Sequence, residues 1–279
     1  MTQRQISGLV DAEASSRLLQ ATEDRRDKAR LNCVGRAGAG DWLTALPSTA
    51  LGLHLRKVEF LTAVKYRLGL PVYQEVGECP VPGCTAASDV YGDHAISCGY
   101  GGERIAKHNH VRDALYQAAV QAGLGPVKEA DGLIPGSDAR PADVFLRHWH
   151  EGRDAAIDFT VVNPLQAALV ARVAQDGDNR VAHAHKLKMD KYGVLCQAEG
   201  IAFLPMAVDT FGGWHKEGLA ILTKLGRQLA RAVGKLEGEV VMHLRQRVGV
   251  LLVRDNVAML ACRCPTFAPG EVDGDVDCD

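Results

Sequence analysis

Four residues between positions 79 and 98 have the chemistry of metal ligands: Cys79, Cys84, His94 and Cys98, in the pattern C-x4-C-x9-H-x3-C. Zinc takes thiolates and an imidazole tetrahedrally, and ligands a few residues apart let the chain turn about the ion without strain. Four protein donors leave no open coordination position, so the expected role is structural. Gly83 and Gly92-Asp93 supply the turns. The stretch 71–101 around them lacks apolar periodicity and is rich in Gly, Pro and Asp. A staple must replace burial there, and closing such a site stabilises small zinc peptides by on the order of 10 kcal/mol. The competing reading makes the cysteines small buried hydrophobes that lie together by chance. Cys33, Cys196, Cys262, Cys264 and Cys278 show no comparable spacing, and Cys262-Arg263-Cys264 is too tight for an ordinary zinc pair.

A second chemistry rests on two carboxylates. Ala142–Arg147 and Ala155–Val162 read as strands around a polar turn at Trp149–Arg153. If the turn centres between His150 and Glu151, Asp143 and Asp158 are equidistant from it and lie opposite one another. Opposed residues have Cβ atoms about 5 Å apart, too close for both carboxylates to stay ionised comfortably alone. One hard cation, Mg²⁺ or Mn²⁺, held by one or two carboxylates with water and phosphate oxygens, resolves the conflict. The alternative is an exposed strand face that Thr160 and Arg147 share. Glu129, in Val127-Lys128-Glu129-Ala130, either adds a third carboxylate from a neighbouring strand or is a solvated side chain. Lys188 and Lys191, three apart, fall on one helix face, as part of a site or as plain basic surface.

These residues need elements to hold them. Residues 1–40 mix charges with small residues, and a helix around Ala12–Arg30 runs into the Gly-rich Gly35–Gly40, which predicts a flexible, weakly packed N-terminal segment and linker. Residues 41–70 are a helical lead-in, with a helix over Lys57–Leu68 stopped by Pro71. The zinc knuckle occupies 71–101. A helix over Glu103–Ala122, ending at Gly123 and Gly125, opens a unit spanning 102–260. Beyond the hairpin come helical pieces at Leu165–Ala174 and Val181–Tyr192, split by Asp176-Gly177-Asp178-Asn179. A strand at Ile201–Val208 and helices at His215–Leu236 and Val240–Val253 follow. Residues 261–279 read as a disordered acidic tail. The order predicts an α/β fold of mixed α+β type: a mixed central sheet flanked by helices, with an inserted knuckle.

With 279 residues, 47% apolar and 24% charged, the chain can bury a sizeable core. Its net charge of −2 conceals an asymmetry, because Glu271–Asp279 holds five acids and no base and the remainder carries +3. Near-neutrality thus leaves room for a nucleic-acid partner. No apolar run approaches the roughly 18 residues of a membrane span, so no membrane partner is expected. The N-terminus lacks the charged, apolar and small-residue layout of a secretory signal, which predicts a reducing compartment, nuclear or cytoplasmic.

Taken in order, these motifs resemble the restriction-enzyme-like endonuclease domain of site-specific non-LTR retrotransposons, a branch of the PD-(D/E)XK nuclease superfamily. The likeness runs from about Asp41 to Ala258. It rests on the Cys-Cys-His-Cys knuckle, on Lys107-His108-Asn109 opening the next helix, on Arg140-Pro141-Ala142-Asp143 and Asp158 as the two acids, and on Lys188–Tyr192, which reads KMDKY. Ala142 separates Pro141 from Asp143, position 107 is Lys where the family has Arg, and Thr160 stands where (D/E)XK has its lysine. The last departure moves the implied catalytic lysine to Lys188.

The resemblance implies a restriction-endonuclease-like fold and a metal-dependent DNA endonuclease. Asp143 and Asp158, with Glu129, would hold Mg²⁺ or Mn²⁺ at a phosphate of double-stranded DNA, and Lys188 would orient the attacking water or offset charge. Cleavage would leave a 3′-hydroxyl, which in the retrotransposon setting primes copying of an RNA template by a reverse transcriptase. Lys107, His108 and Lys191, with Arg227, Arg231, Arg245 and Arg247 of the closing helices, are expected on backbone phosphates. The chain has no Tyr-x-Asp-Asp polymerase signature and no room for a reverse transcriptase domain, so a detached nuclease part, a fragment or a remnant is expected. Alternatives are a catalytically inactive zinc-stapled DNA-binding remnant, a PD-(D/E)XK nuclease of repair or recombination, and a protein-interaction domain.

Overall fold

The computed structural model describes residues 2–176 and 179–263. The acidic tail from 264, with Cys264 and Cys278, and the Gly177-Asp178 step expected to turn the chain lie outside them.

Helix α1 (Gln3–Ala21) is exposed along nearly its whole length. Helix α2 (Arg25–Val34), capped by the Asp24 carboxylate on the Asp27 N–H at 2.8 Å, is not. Its Ala29 and Cys33 are fully buried, in a cluster with Tyr66, Leu165, Val173 and Phe211. The expectation of a weakly packed segment through residue 40 is therefore corrected for residues 25–40. Small residues bury here by close approach, which leaves no bulky apolar stripe to read. Gly38 illustrates this: at φ +94°, a Cβ on it would lie 2.6 Å from the Trp214 ring and 2.9 Å from the Gly212 carbonyl oxygen. Its glycine serves contact, not flexibility.

Helix α3 (Lys57–Leu68) ends at Gly69 in the left-handed conformation. The knuckle follows, with the short antiparallel strands β1 (Gly77–Glu78) and β2 (Ala87–Ser88) and the single-turn helix α4 (Asp93–Ser97). It is not held by ligands alone, because Tyr73, Ala95 and Ile96 enter the cluster that buries Cys33 and Leu260.

The larger core is built on a four-stranded sheet. After α5 (Glu103–Gln121) come β3 (Val127–Lys128), β4 (Val144–His150) and β5 (Arg153–Val162). Helices α6 (Val170–Gln175), α7 (Asn179–Lys188) and α8 (Val194–Ala198) lead to β6 (Ala202–Asp209), and α9 (Lys216–Val233) and α10 (Glu237–Cys262) close the chain. The strand order is β3-β4-β5-β6, antiparallel except for the parallel β5–β6 pair. The fold is thus mixed α/β, as expected. Period-2 alternation sends Ala155, Ile157 and Phe159 into a cluster with Leu115 of α5, Leu222 of α9 and Leu244 of α10. Ala156 meets Cys196 of α8, and Val162 meets Val181 and Ala184 of α7. Helices cover both faces of β5, so Asp158 shares its side with Ala156 and Val162, toward α7.

The hairpin register carries the two acids. Its loop is Glu151-Gly152, one residue later than expected, with φ +53° and +75° as a tight primed turn demands. A bulge across Arg147–Trp149, with His148 at φ +49°, inserts extra residues into β4 and cancels that offset. The Asp154 carboxylate holds it by accepting the His148 N–H at 2.9 Å. Below the bulge Leu146 faces Ala155 and Val144 faces Ile157, so the next step brings Asp143 level with Asp158.

Among the described residues no helix is long and apolar enough to cross a membrane. Helix α10 runs nine residues past Val253, where its helical pattern was expected to end, so residues 261–263, expected in the disordered tail, are instead its last residues and the Arg263 cap.

Candidate functional site

Asp158 is buried in an apolar strand, and Lys188, projecting from the last turn of α7, meets it: Nζ lies 2.9 Å from Oδ1 and 2.8 Å from Oδ2. Only the first contact has hydrogen-bond geometry, so Oδ2 accepts no hydrogen bond among the described residues. Burial pushes the Asp158 carboxyl up to about 6; Lys188 and His108 pull it down, and the negative charge of Asp143 pushes it up again. That last influence registers the proximity of the two acids. The Asp143 carboxylate is held at both oxygens, Oδ1 by His108 Nε2 at 3.1 Å and Oδ2 by the Phe159 N–H at 2.6 Å. Strand β5, helix α5 and helix α7 thus bring Asp143, Asp158, His108 and Lys188 together.

Glu129 lies just past β3 at φ +50°, with its N–H on the Asp143 carbonyl at 3.0 Å. Its carboxylate is held by Arg112, itself bonded to Asp113 at 2.9 Å. The backbone brings Glu129 beside Asp143, but its acid group is engaged elsewhere.

A cleft of about 650 Å³ opens beside these residues, between the knuckle, α5, the end of β5 and α7. Arg104, His108, Arg180, Lys188 and Lys191 line it. Burial, then the neighbouring Arg104, lower the Arg180 guanidinium from its ordinary value, and its buried Nε has no acceptor among the described residues. Lys107 also borders the cleft, but not as the expected phosphate contact. It is 3% exposed, its Nζ donates to Asn256 Oδ1 at 2.6 Å, and burial lowers it to about 7, so it offers no dependable charge at neutral pH. The closing-helix arginines are not on this cleft: Arg227 and Arg231 pair with Glu237, Arg245 pairs with Asp41, and Arg247 packs by Gly52. Amphipathic helices that turn one face to the core present their charges to whichever acids are near, and these acids lie away from the cleft.

The knuckle residues converge as their spacing predicts. One donor atom from each of Cys79, Cys84, His94 and Cys98 lies within 4.8 Å of the others, with Sγ of Cys79 and Cys98 4.0 Å apart and Cys84 Sγ 3.5 Å from His94 Nε2. Zinc–sulfur bonds of about 2.3 Å in a tetrahedron set such separations near 3.8 Å, so the cluster can bind a metal such as zinc. The Asp89 carboxylate ties the loop by accepting the N–H groups of Tyr91, Asp93 and His94. Burial pushes the Cys79 thiol up to about 11. It raises Cys98 too, but the Tyr100 N–H and the Arg263 guanidinium outweigh it and hold that thiol below its ordinary value. Arg263, fully buried, also bonds the Tyr100 carbonyl at 2.8 Å and Glu103 at 2.6 Å, joining α10 to the knuckle and to the start of α5.

Sequence reasoning missed Arg180, Arg112 and Arg263. None lies in a spaced motif; each matters through burial that folding alone reveals. The segment 189–193, directly after Lys188, is a π-helical turn, a rare geometry that recurs at functional sites.

The chain matches no protein-family model and no curated protein.

Proposed function

We propose that the chain is a metal-dependent DNA endonuclease with a restriction-endonuclease-like core, akin to the nuclease part of site-specific non-LTR retrotransposons. The observation that carries this reading is the meeting of Asp143, Asp158 and Lys188 beside a cleft lined by cations. A mixed sheet with one acid on β5 and the other leading into β4, sandwiched between helices, supports it.

Asp143, leading into β4, and Asp158 on β5 offer carboxylate oxygens of the kind a hard divalent cation takes, with Asp158 Oδ2 lying 2.8 Å from Lys188 Nζ. Mg²⁺ or Mn²⁺ held by Asp143 and Asp158 would polarise a scissile phosphate and lower the pKa of an attacking water. His108 and the Phe159 N–H fix the Asp143 carboxylate in one orientation. Lys188 keeps Asp158 ionised and stands where it can orient water or offset charge on the phosphate. Arg104, Arg180 and Lys191 bind backbone phosphates of double-stranded DNA, which positions the duplex without reading its sequence. The knuckle, tied to α5 through Arg263 and Glu103, braces the wall that carries His108. A 3′-hydroxyl product would serve a reverse transcriptase and its RNA template.

The test is conversion of supercoiled plasmid to nicked circles by zinc-loaded protein. Nicking that needs Mg²⁺ or Mn²⁺, stops with EDTA and leaves ends a polymerase can extend is the expected result; intact plasmid with both metals would overturn it. The second reading, an inactive DNA-binding remnant, is favoured by the engagement of Glu129 with Arg112, and it predicts salt-sensitive duplex binding without nicking.

A further inference from the structure

A second cluster of metal-ligand side chains shares no residue with the knuckle or the acid pair. His185 sits on α7, one turn before Lys188; His215 caps the N-terminal end of α9, and Glu217 lies in its first turn. His185 Nε2 is 2.9 Å from Glu217 Oε2, and the two imidazole rings stack with centroids 3.9 Å apart at 30°. One ligand atom from each of the three falls within 4.8 Å of the others. Two imidazoles and one carboxylate are the donors borderline divalent ions prefer, and three protein ligands leave a position for water. The positive end of α9 alone would repel a cation, and the Glu217 carboxylate offsets it. The Glu217 side chain is 55% exposed and that of His185 12%, and a cleft of about 830 Å³ borders His215.

We propose that His185, His215 and Glu217 form a second metal site, which takes a zinc-, cobalt- or nickel-like divalent cation with one position open to solvent. Occupancy ties α7 to the start of α9 and so steadies the helix that carries Lys188. The site is independent of the nuclease reading, since it rests on residues that reading does not use.

The test is equilibrium dialysis of the zinc-loaded full chain against Co²⁺, with metal analysis and the visible spectrum. One equivalent beyond the knuckle's zinc and any ion on the acid pair is expected, with weak d–d bands and no sulfur-to-metal charge-transfer band. His185→Gln should lose that equivalent, and Glu217→Gln should bind it at least tenfold more weakly, both keeping the knuckle's metal and their helical content. Asp158→Asn should retain it, which separates this site from the acid pair. No extra equivalent in the wild type, or the same extra equivalent in His185→Gln, would overturn the proposal.

Discussion

An unpaired carboxylate inside an apolar strand is costly, and Asp158 is tolerated within Ala155–Val162 because Lys188 reaches it across the edge of α7. Lys188→Met should therefore act twice. Stability at pH 7 should fall by about 2 kcal/mol, less than for a fully enclosed pair because Lys188 is 30% exposed, and nicking should fall at least about a hundredfold. Urea unfolding and a plasmid assay on one preparation check both; a change in neither would remove Lys188 from the site. Lys107 yields a pH prediction. Its amine titrates near 10.4 in the unfolded chain and, through burial, at about 7 in the fold. Between those values the unfolded state holds more protons, so stability rises with pH. The wild type should gain stability over Lys107→Met as pH goes from 7 to 10, and parallel unfolding curves would contradict this. At this scale the sequence revealed residue types and spacings but not partners: Cys79, Cys84, His94 and Cys98 were legible because chain-local ligands need no tertiary knowledge, whereas the burial of Lys107 against Asn256 joins residues 149 apart.

Elements were most legible where a local rule governs them. The helix over Lys57–Leu68 is bounded by Gly69 and Pro71, and β5 is a run of apolar residues ended by Asn163-Pro164. The hairpin instructs differently. Its two acids came level although the loop lies one residue off, because a bulge that no turn signal announces compensates. Helix α2 went unread as a packed element because Ala29 and Cys33 bury without bulk. Between elements, Arg263 is the clasp of the knuckle. Arg263→Met should lower stability by about 3 kcal/mol and weaken zinc about 10- to 100-fold, as loss of groups behind metal ligands does. Chelator competition measures this, and unchanged zinc retention would show the clasp to be incidental.

At the scale of the whole molecule, the function comes from which elements meet. Alternating strands and helices announced a mixed sheet, but nothing local said that α5, α7 and the knuckle would enclose a single basic cleft. If duplex DNA lies there, Arg180→Ala and Lys191→Ala should each reduce the slope of log affinity against log salt by about 1 and weaken all sequences alike; slopes equal to the wild type would place DNA elsewhere. The central claim is that Asp143 and Asp158 act on a phosphate together. Its most direct measurement is the rate of plasmid nicking, at matched zinc content and saturating Mg²⁺, for the wild type beside Asp143→Asn and Asp158→Asn. The account predicts a metal-dependent wild-type rate that falls at least about a hundredfold in each variant; variants that nick as fast as the wild type would contradict it.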